Sequence, residues 1–201
     1  MTAGGHRGAS FGEGLGAESD ETLAGRVHGG DESALEELVR RYLRPVHAVA
    51  ASFLPELADV EDAAQETFLR ALGGIRRYDS RRPFAPWLYQ IARNVARNHL
   101  AASTRIQTDV AASALPSALP GPEVVTERLE TRALVEAAIA RLPEQQRTAF
   151  RLADVEGYSM VDVARLMGLS AGTVRSHVHH ARRALRAMLA ELSERVENGR
   201  G

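Results

Sequence analysis

The sequence predicts an all-α protein of two small helical domains joined by a flexible linker, the second containing a helix-turn-helix. Three observations carry this. Apolar residues recur at spacings of three and four in successive blocks, and no stretch alternates as a half-buried strand does. Residues 103–123 hold three prolines and no period, and they divide the helical blocks. Ala164, Gly168 and Val174 stand at the spacing that two crossing helices and a tight turn require. With 201 residues the chain can bury a core, but two domains of under a hundred residues would each be marginal.

Residues 1–20, rich in Gly and small or polar side chains, are expected to form a disordered N-terminal tail. The first domain, 21–102, opens with a helical stripe of Leu35, Leu38, Val39, Tyr42, Leu43, Val46, Val49, Phe53 and Leu54. Pro45 is expected to kink or divide it, and Pro55 to end it. Asp59, with Asp62 three residues on, can cap the next helix. Its apolar stripe is Val60, Ala64, Phe68, Ala71 and Leu72. Its other face carries Glu61, Asp62, Gln65, Glu66 and Arg70, and Gly73–Gly74 stop it. Residues 75–83 (IRRYDSRRP) have no period and read as a basic loop. Pro86 suits a first helical position, and Trp87, Leu88, Ile91, Ala92 and Val95 form the buried stripe that follows. Gln90, Arg93, Asn94, Arg97 and Asn98 lie on or near the opposite face.

The second domain, 124–192, starts with a helix near 124–141 whose stripe is Thr131, Leu134, Val135, Ala138, Ile139 and Leu142. Pro143 starts another, which Gly157 ends. Ser159 and Asp162 are a capping pair for a short helix through Met167. After the turn at Gly168, Ser170 can cap a long helix with Val174, Val178, Ala181, Leu185 and Leu189 inward. Residues 193–201 read as a frayed C-terminal tail.

Charge is unevenly placed. The net charge of −1 argues against coating nucleic acid by charge alone. Yet 70–105 hold eight Arg against one acid, and 163–190 hold five Arg and none. In the helix-turn-helix segment, Ser170, Thr173, Arg175, Ser176, His179, Arg182 and Arg183 fall on the outer face or beside it. Arg can read a guanine bidentately, and hydroxyls and amides can hold phosphates. The segment is therefore expected to read duplex DNA, the alternative being an ordinary helical hairpin with a solvated Arg face. His177, His179 and His180 do not share one helical face well, so DNA-facing or solvated positions fit them better than a metal site. No cysteine is present, which excludes disulfides and thiol chemistry. No phosphate-cradling loop, HExxH or nucleophile motif is found, so no enzyme and no cofactor is expected. No apolar run reaches the length of a membrane span, and a cytoplasmic protein is expected.

Four segments together resemble the extracytoplasmic-function (group 4) sigma factors of bacterial RNA polymerase. LAGRVHGGDESALEELVRRYLRPVHAVA is similar to the family's opening segment, and DVEDAAQETFLRAL to its region 2.2. FAPWLYQIARNVARNHL resembles regions 2.3 and 2.4, and LPEQQRTAFRLADVEGYSMVDVARLMGLSAGTVRSHVHHARRAL resembles region 4. The resemblance implies an alternative sigma factor. Region 2 would dock on the β′ clamp helices of core polymerase through Asp62, Gln65, Glu66, Phe68, Leu69 and Arg70. It would melt and hold the −10 element with Arg76, Arg77, Tyr78, Arg81, Arg82, Arg93, Asn94, Arg97 and Asn98. Trp87 suits the core better than a stacking platform. Region 4 would read the −35 element and meet the β flap. An anti-sigma protein would hold the factor silent, and in the holoenzyme it would be nucleoid-associated. Two departures stand out. Asn98–His99–Leu100–Ala101–Ala102 replaces the usual acid and basic run, and Ser176–His177–Val178–His179–His180 replaces a more cationic stretch. The T-V-R-S-H stretch also resembles LuxR-type regulators, but those carry a sensing domain upstream where 31–100 show only helices.

Overall fold

The structure, a computed structural model, describes residues 18–113 and 127–198, with side chains over 18–105 and 134–191. The tail expected over 1–20 lies, up to residue 17, outside the described residues, as do 114–126. Every regular element among the described residues is helical.

Helix α1 (Asp20–His28) has Ser19 at its N-cap, whose hydroxyl accepts from the Thr22 amide. The periodicity did not single it out, because nine residues between polar flanks give a weak signal; its Leu23, Ala24 and Val27 are nevertheless buried. Helix α2 (Glu32–Ala51) is capped by Asp31, which accepts from the Ser33 and Ala34 amides. It runs through Pro45 undivided, and Pro45 is buried within it. Helix α3 (Leu57–Gly74) begins earlier than expected, with Glu56 at the N-cap and no side-chain cap bond. Asp59 therefore does not cap it but lies in its first turn, where a carboxylate meets the positive end of the helix dipole. The two glycines stay inside α3, and a 3₁₀ turn (Ile75–Arg77) follows, pinned by buried Ile75.

Helix α4 (Phe84–Ser113) places Pro86 in its first turn, where a missing N–H breaks no bond. It is longer than expected: residues 103–113, taken as linker, continue the helix. Ala101 and Ala102 lead into that stretch, and Ala111 and Ala112 lie within it; Ala is the strongest helix former, and no proline interrupts before Pro116.

In the second unit, α5 (Glu127–Ala140) and α6 (Glu144–Phe150) flank Pro143, which sits at the α6 N-cap. One turn of π-helix (Arg151–Val155) extends α6 and closes at Gly157, at φ 78°. Helix α7 (Met160–Met167) has the expected cap: the Asp162 amide donates to Ser159 Oγ at 3.1 Å, and that hydroxyl donates to Asp162 Oδ2 at 2.6 Å. Helix α8 (Ala171–Asn198) continues through most of the segment read as a tail.

Tyr42, Val46, Val49, Leu88, Tyr89 and Val95 are almost fully buried and hold α2, α3 and α4 together. Leu43, Leu72 and Leu134, which periodicity placed on inner stripes, are instead 44%, 41% and 41% exposed. The core does not stop at the first unit. Ala149, Leu152, Tyr158, Val163, Leu166 and Val174 belong to the same continuous apolar cluster, while Ile139, Leu142 and Leu185 form a separate one between α5 and α8.

Candidate nucleic-acid interface

The helix-turn-helix is built by three residues. Ala164 is buried where α7 meets α8. Gly168 terminates α7 in the left-handed region, at φ 68° and ψ 35°. Val174 is fully buried beneath the second helix, with Val178, Ala181 and Leu185 along the same stripe. That packing turns Thr173, Arg175, Ser176, His179, Arg182 and Arg183 outward. Ser170 caps α8: its Oγ accepts from the Thr173 amide at 3.0 Å and lies 2.8 Å from Thr173 Oγ1. Those two hydroxyls hold the start of the helix, and the Thr173 amide is already taken by the cap. Arg182 is not idle: Asp154 of the π turn receives it bidentately at 2.7 and 2.6 Å, which raises the guanidinium pKa. The rings of His179 and His180 meet edge to face at 5.7 Å.

On the first unit, α4 turns Gln90, Asn94, Arg97 and Asn98 to solvent. Arg76 and Arg77 are exposed in the 3₁₀ turn, and the side chains of Arg81 and Arg82 are 89% and 83% exposed. Asp79 organises this loop. It accepts from the Arg81 side chain at 2.9 Å and amide at 3.1 Å, and these bonds lower its pKa. Tyr78 is half-buried, in an aromatic group with Phe84 at 5.6 Å and Trp87 at 4.9 Å, and its hydroxyl donates to the Arg82 carbonyl. Burial pushes that phenol up to about 12, so it stays a donor. Trp87 packs against the core in the same group. Arg93 differs from its neighbours: it is three-quarters buried and ion-paired to Glu144 of α6.

The third surface is the outer side of α3. Asp62 and Gln65 are exposed, Leu69 is 63% exposed, and Phe68 packs partly into the core. Leu35, Val39, Leu43, Phe68, Leu69 and Leu72 line a groove of about 350 Å³ between α2 and α3. Glu66 is held from two sides, by His99 Nε2 at 2.6 Å and Arg70 at 2.6 Å. The His99 bond first, then Arg70, keeps its carboxyl below the usual carboxylate range.

Most of the residues named from the sequence are exposed on these three faces, while Arg93 is turned to Glu144 of α6 and Phe68 and Tyr78 pack partly into the core. What the sequence did not disclose is their partners. Glu66–Arg70 lies at the four-residue helical spacing, although the sequence reading placed the two only on one face. Asp154 on Arg182, Glu144 on Arg93 and Glu66 on His99 are 28, 51 and 33 residues apart and carry no spacing signal.

Residues 38–106 match the family model of sigma-70 region 2, and residues 132–185 that of sigma-70 region 4. The RNA polymerase sigma-H factor of Pseudomonas aeruginosa is 34% identical over 185 residues, 87% of this chain and 96% of that protein. The ECF RNA polymerase sigma-E factor of Escherichia coli K12 is 32% identical over 177 residues, 83% and 92% of the two chains. Among solved structures, CnrH in complex with the cytosolic domain of CnrY is 26% identical, with a TM-score of 0.58 over 87% of this chain and 99% of that one. RpoE of Bartonella quintana, in complex with the anti-sigma factor NepR, shares the fold at 24% identity, with a TM-score of 0.52 over 77% and 96%.

Proposed function

This chain belongs to the sigma-70 family, among the extracytoplasmic-function sigma factors, and on that premise we propose how its three surfaces divide the work. The protein binds core RNA polymerase and directs promoter-specific initiation, with region 2 acting at the −10 element and region 4 at the −35 element. The family is one of non-catalytic initiation factors. No helix of the described residues is long and apolar enough to cross a membrane. The observation that carries the function is the co-occurrence of both region models, in order, in a chain that aligns with curated sigma factors over most of its length. A stand-alone LuxR-type regulator would have no use for the first of them.

The outer face of α3 docks on the β′ clamp helices. Exposed Leu69 beside the α2–α3 groove supplies apolar area, while Asp62, Gln65, Glu66 and Arg70 set register by charge. Phe68, anchored in the core, holds Leu69 in place.

Arg76, Arg77, Arg81 and Arg82 line the path of the displaced −10 strand. Asn94, Arg97 and Asn98 on α4, with Arg93, face bases and phosphates once the strands part. Tyr78 acts more as the brace of the loop than as a free stacking platform, since its ring and hydroxyl are both occupied.

Helix α8 enters the major groove of the −35 element. Arg175, Ser176 and His179 approach base edges, and Ser170, Thr173, Arg182 and Arg183 approach phosphates. Region 4 also meets the β flap. An anti-sigma protein keeps the factor inactive, as the partners of the solved relatives suggest. In the holoenzyme the protein is at the nucleoid. The segment ahead of α1 acts as a tail and the stretch between α4 and α5 as the connector, shorter than 103–123 because α4 runs to Ser113, while the residues from 193 extend α8.

The experiment is transcription by purified core polymerase on fragmented genomic DNA of the source organism, with and without the protein. New start sites preceded by a shared pair of elements are expected. Binding to core without new starts would point to a missing activator. Failure to bind core would overturn the assignment.

A further inference from the structure

We infer that Asp154, in the π turn of region 4, is a specificity-determining residue: it clasps Arg182 of the reading helix, so that this cation meets a −35 phosphate only when α8 is seated in register. The inference deepens the assignment of α8 to the −35 element made above, and rests on it.

An irregularity of the backbone makes the clasp. Ala149 of α6 is fully buried. In an uninterrupted α-helix Asp154, five residues on, would stand about 140° round the axis from it. The chain instead takes one wide turn over Arg151–Val155, in which the Glu156 amide donates to the Arg151 carbonyl at 3.0 Å. Bonding from i to i+5 brings residues five apart nearly above one another, and such turns collect at functional sites. Asp154 thereby follows Ala149 to the side that packs on α8. Its side chain is 20% exposed, while neighbouring Val155 is 52% exposed and faces out.

On α8, Val178 and Ala181 are buried, and Arg182 stands at the edge of that seam, three residues beyond His179 on the same outer side. Asp154 Oδ2 accepts from Arg182 Nε at 2.7 Å, and Oδ1 accepts from Nη2 at 2.6 Å. A planar fork gripped at two points has its plane fixed, and its remaining N–H groups point away from the carboxylate. The Arg182 side chain is still half-exposed. It is therefore an aimed donor and not a swinging one.

The aim matters for selection. An arginine free to swing neutralises a phosphate of any duplex, and each such contact adds to affinity that is blind to sequence. Clasped Arg182 has its charge offset by Asp154 and reaches a phosphate only from one direction, so it favours correct seating over any other. One added phosphate contact raises sequence-blind affinity roughly eightfold between 1 M and 0.1 M salt. Asp154 thus denies wrong sequences a gain of up to about that size.

The test uses the holoenzyme and a promoter mapped by the transcription experiment above. The promoter is prepared in two forms, one intact and one with a scrambled −35 element and the −10 element unchanged. Initiation is compared at about 0.1 M salt, and wild type is expected to favour the intact form. Asp154→Asn keeps the size of the side chain and removes its charge. It is expected to raise initiation on the scrambled form, so that the preference falls several-fold, by about eightfold at most, while affinity for core polymerase is unchanged. Arg182→Lys guards against loss of fold in the first variant. Lysine keeps the charge but cannot be gripped at two points, so the preference is expected to fall likewise. In an Arg182→Gln background, adding Asp154→Asn is expected to change the preference no further. A fall of full size there would mean that Asp154 acts as a bare charge and would overturn the clasp. An unchanged preference in both single variants would overturn the inference while leaving the −35 assignment intact. A wild-type holoenzyme that starts equally well on both forms would strike the −35 assignment, and the inference with it.

Discussion

Replacing Gly168 by alanine perturbs the backbone of the helix-turn-helix and the contact between the two regions. The residue sits at φ 68° and ψ 35°, a conformation that costs an L side chain about 1–2 kcal/mol. The new methyl would also stand 3.2 Å from Pro86 Cβ and 3.6 Å from Pro86 Cγ. Neither atom lies at the end of a flexible chain, so the ring or the helix must shift, and such overpacking adds about 1–3 kcal/mol if it cannot be relieved. Gly157 is the internal control. Its φ is 78°, but nothing lies within 4 Å of its missing Cβ, so Gly157→Ala feels the backbone cost alone. Urea unfolding followed by far-UV circular dichroism is the assay, with small-angle scattering on the folded proteins. Gly157→Ala is expected to lose about 1–2 kcal/mol. Gly168→Ala either loses at least about 1 kcal/mol more or relieves the clash by parting the units, seen as a larger radius of gyration. If Gly168→Ala matches wild type in both stability and dimensions, the reasoning about the turn is wrong. If it merely equals Gly157→Ala, with unchanged dimensions, the Pro86 contact carries no energy.

Leu152 is fully buried where the π turn enters the shared core, so Leu152→Ala should cost about 2–5 kcal/mol in chemical denaturation. Arg175→Ala should weaken holoenzyme binding to a promoter duplex by about 1–3 kcal/mol while the circular dichroism spectrum stays unchanged; a loss confined to the spectrum would mean a structural role. Glu66 has a folded-state pKa below its usual 4.5, held down by His99 and Arg70, so its contribution to stability is present above pH 4.5 and fades as pH falls through the depressed value. Between pH 6 and pH 3 the melting temperature of Glu66→Gln should therefore fall less than that of wild type; parallel curves would refute the pairing. Gly73 lies inside α3 with open space where its Cβ would be, and Gly73→Ala should stabilise by about 0.5–1 kcal/mol, read as a raised urea midpoint.

Much of the fold was legible because its signals are local. The stripes Val174–Val178–Ala181–Leu185 and Leu88–Ala92–Val95 are periodic, and periodicity states which face is inward. Ser159–Asp162 and Ser170 were readable as caps because a cap acts over three residues. The errors have the same origin. Asp59 has the chemistry of a cap, but α3 starts earlier, and local chemistry does not fix which turn comes first. Leu43 and Leu72 obey the apolar period yet are exposed, because among the described residues no element covers the groove they edge. Residues 103–113 lack an apolar period, but a helix needs only continued backbone bonding, and α4 supplies the turn before them.

By itself the sequence determined the helical class, the two regions in their order, the inward faces and the outward basic and acidic sets. Each of these depends on residues a few positions apart, whose interactions any helix imposes. Only the tertiary structure decided which of the charged residues are already taken. Arg182 by Asp154, Arg93 by Glu144 and Glu66 by His99 are pairings over 28, 51 and 33 residues. Packing of α3 on α4 sets Glu66 beside His99, packing within the second unit sets Arg182 beside Asp154, and the core that Leu152, Val163 and Val174 share with region 2 sets Glu144 beside Arg93, each within the few ångströms over which a carboxylate holds a cation.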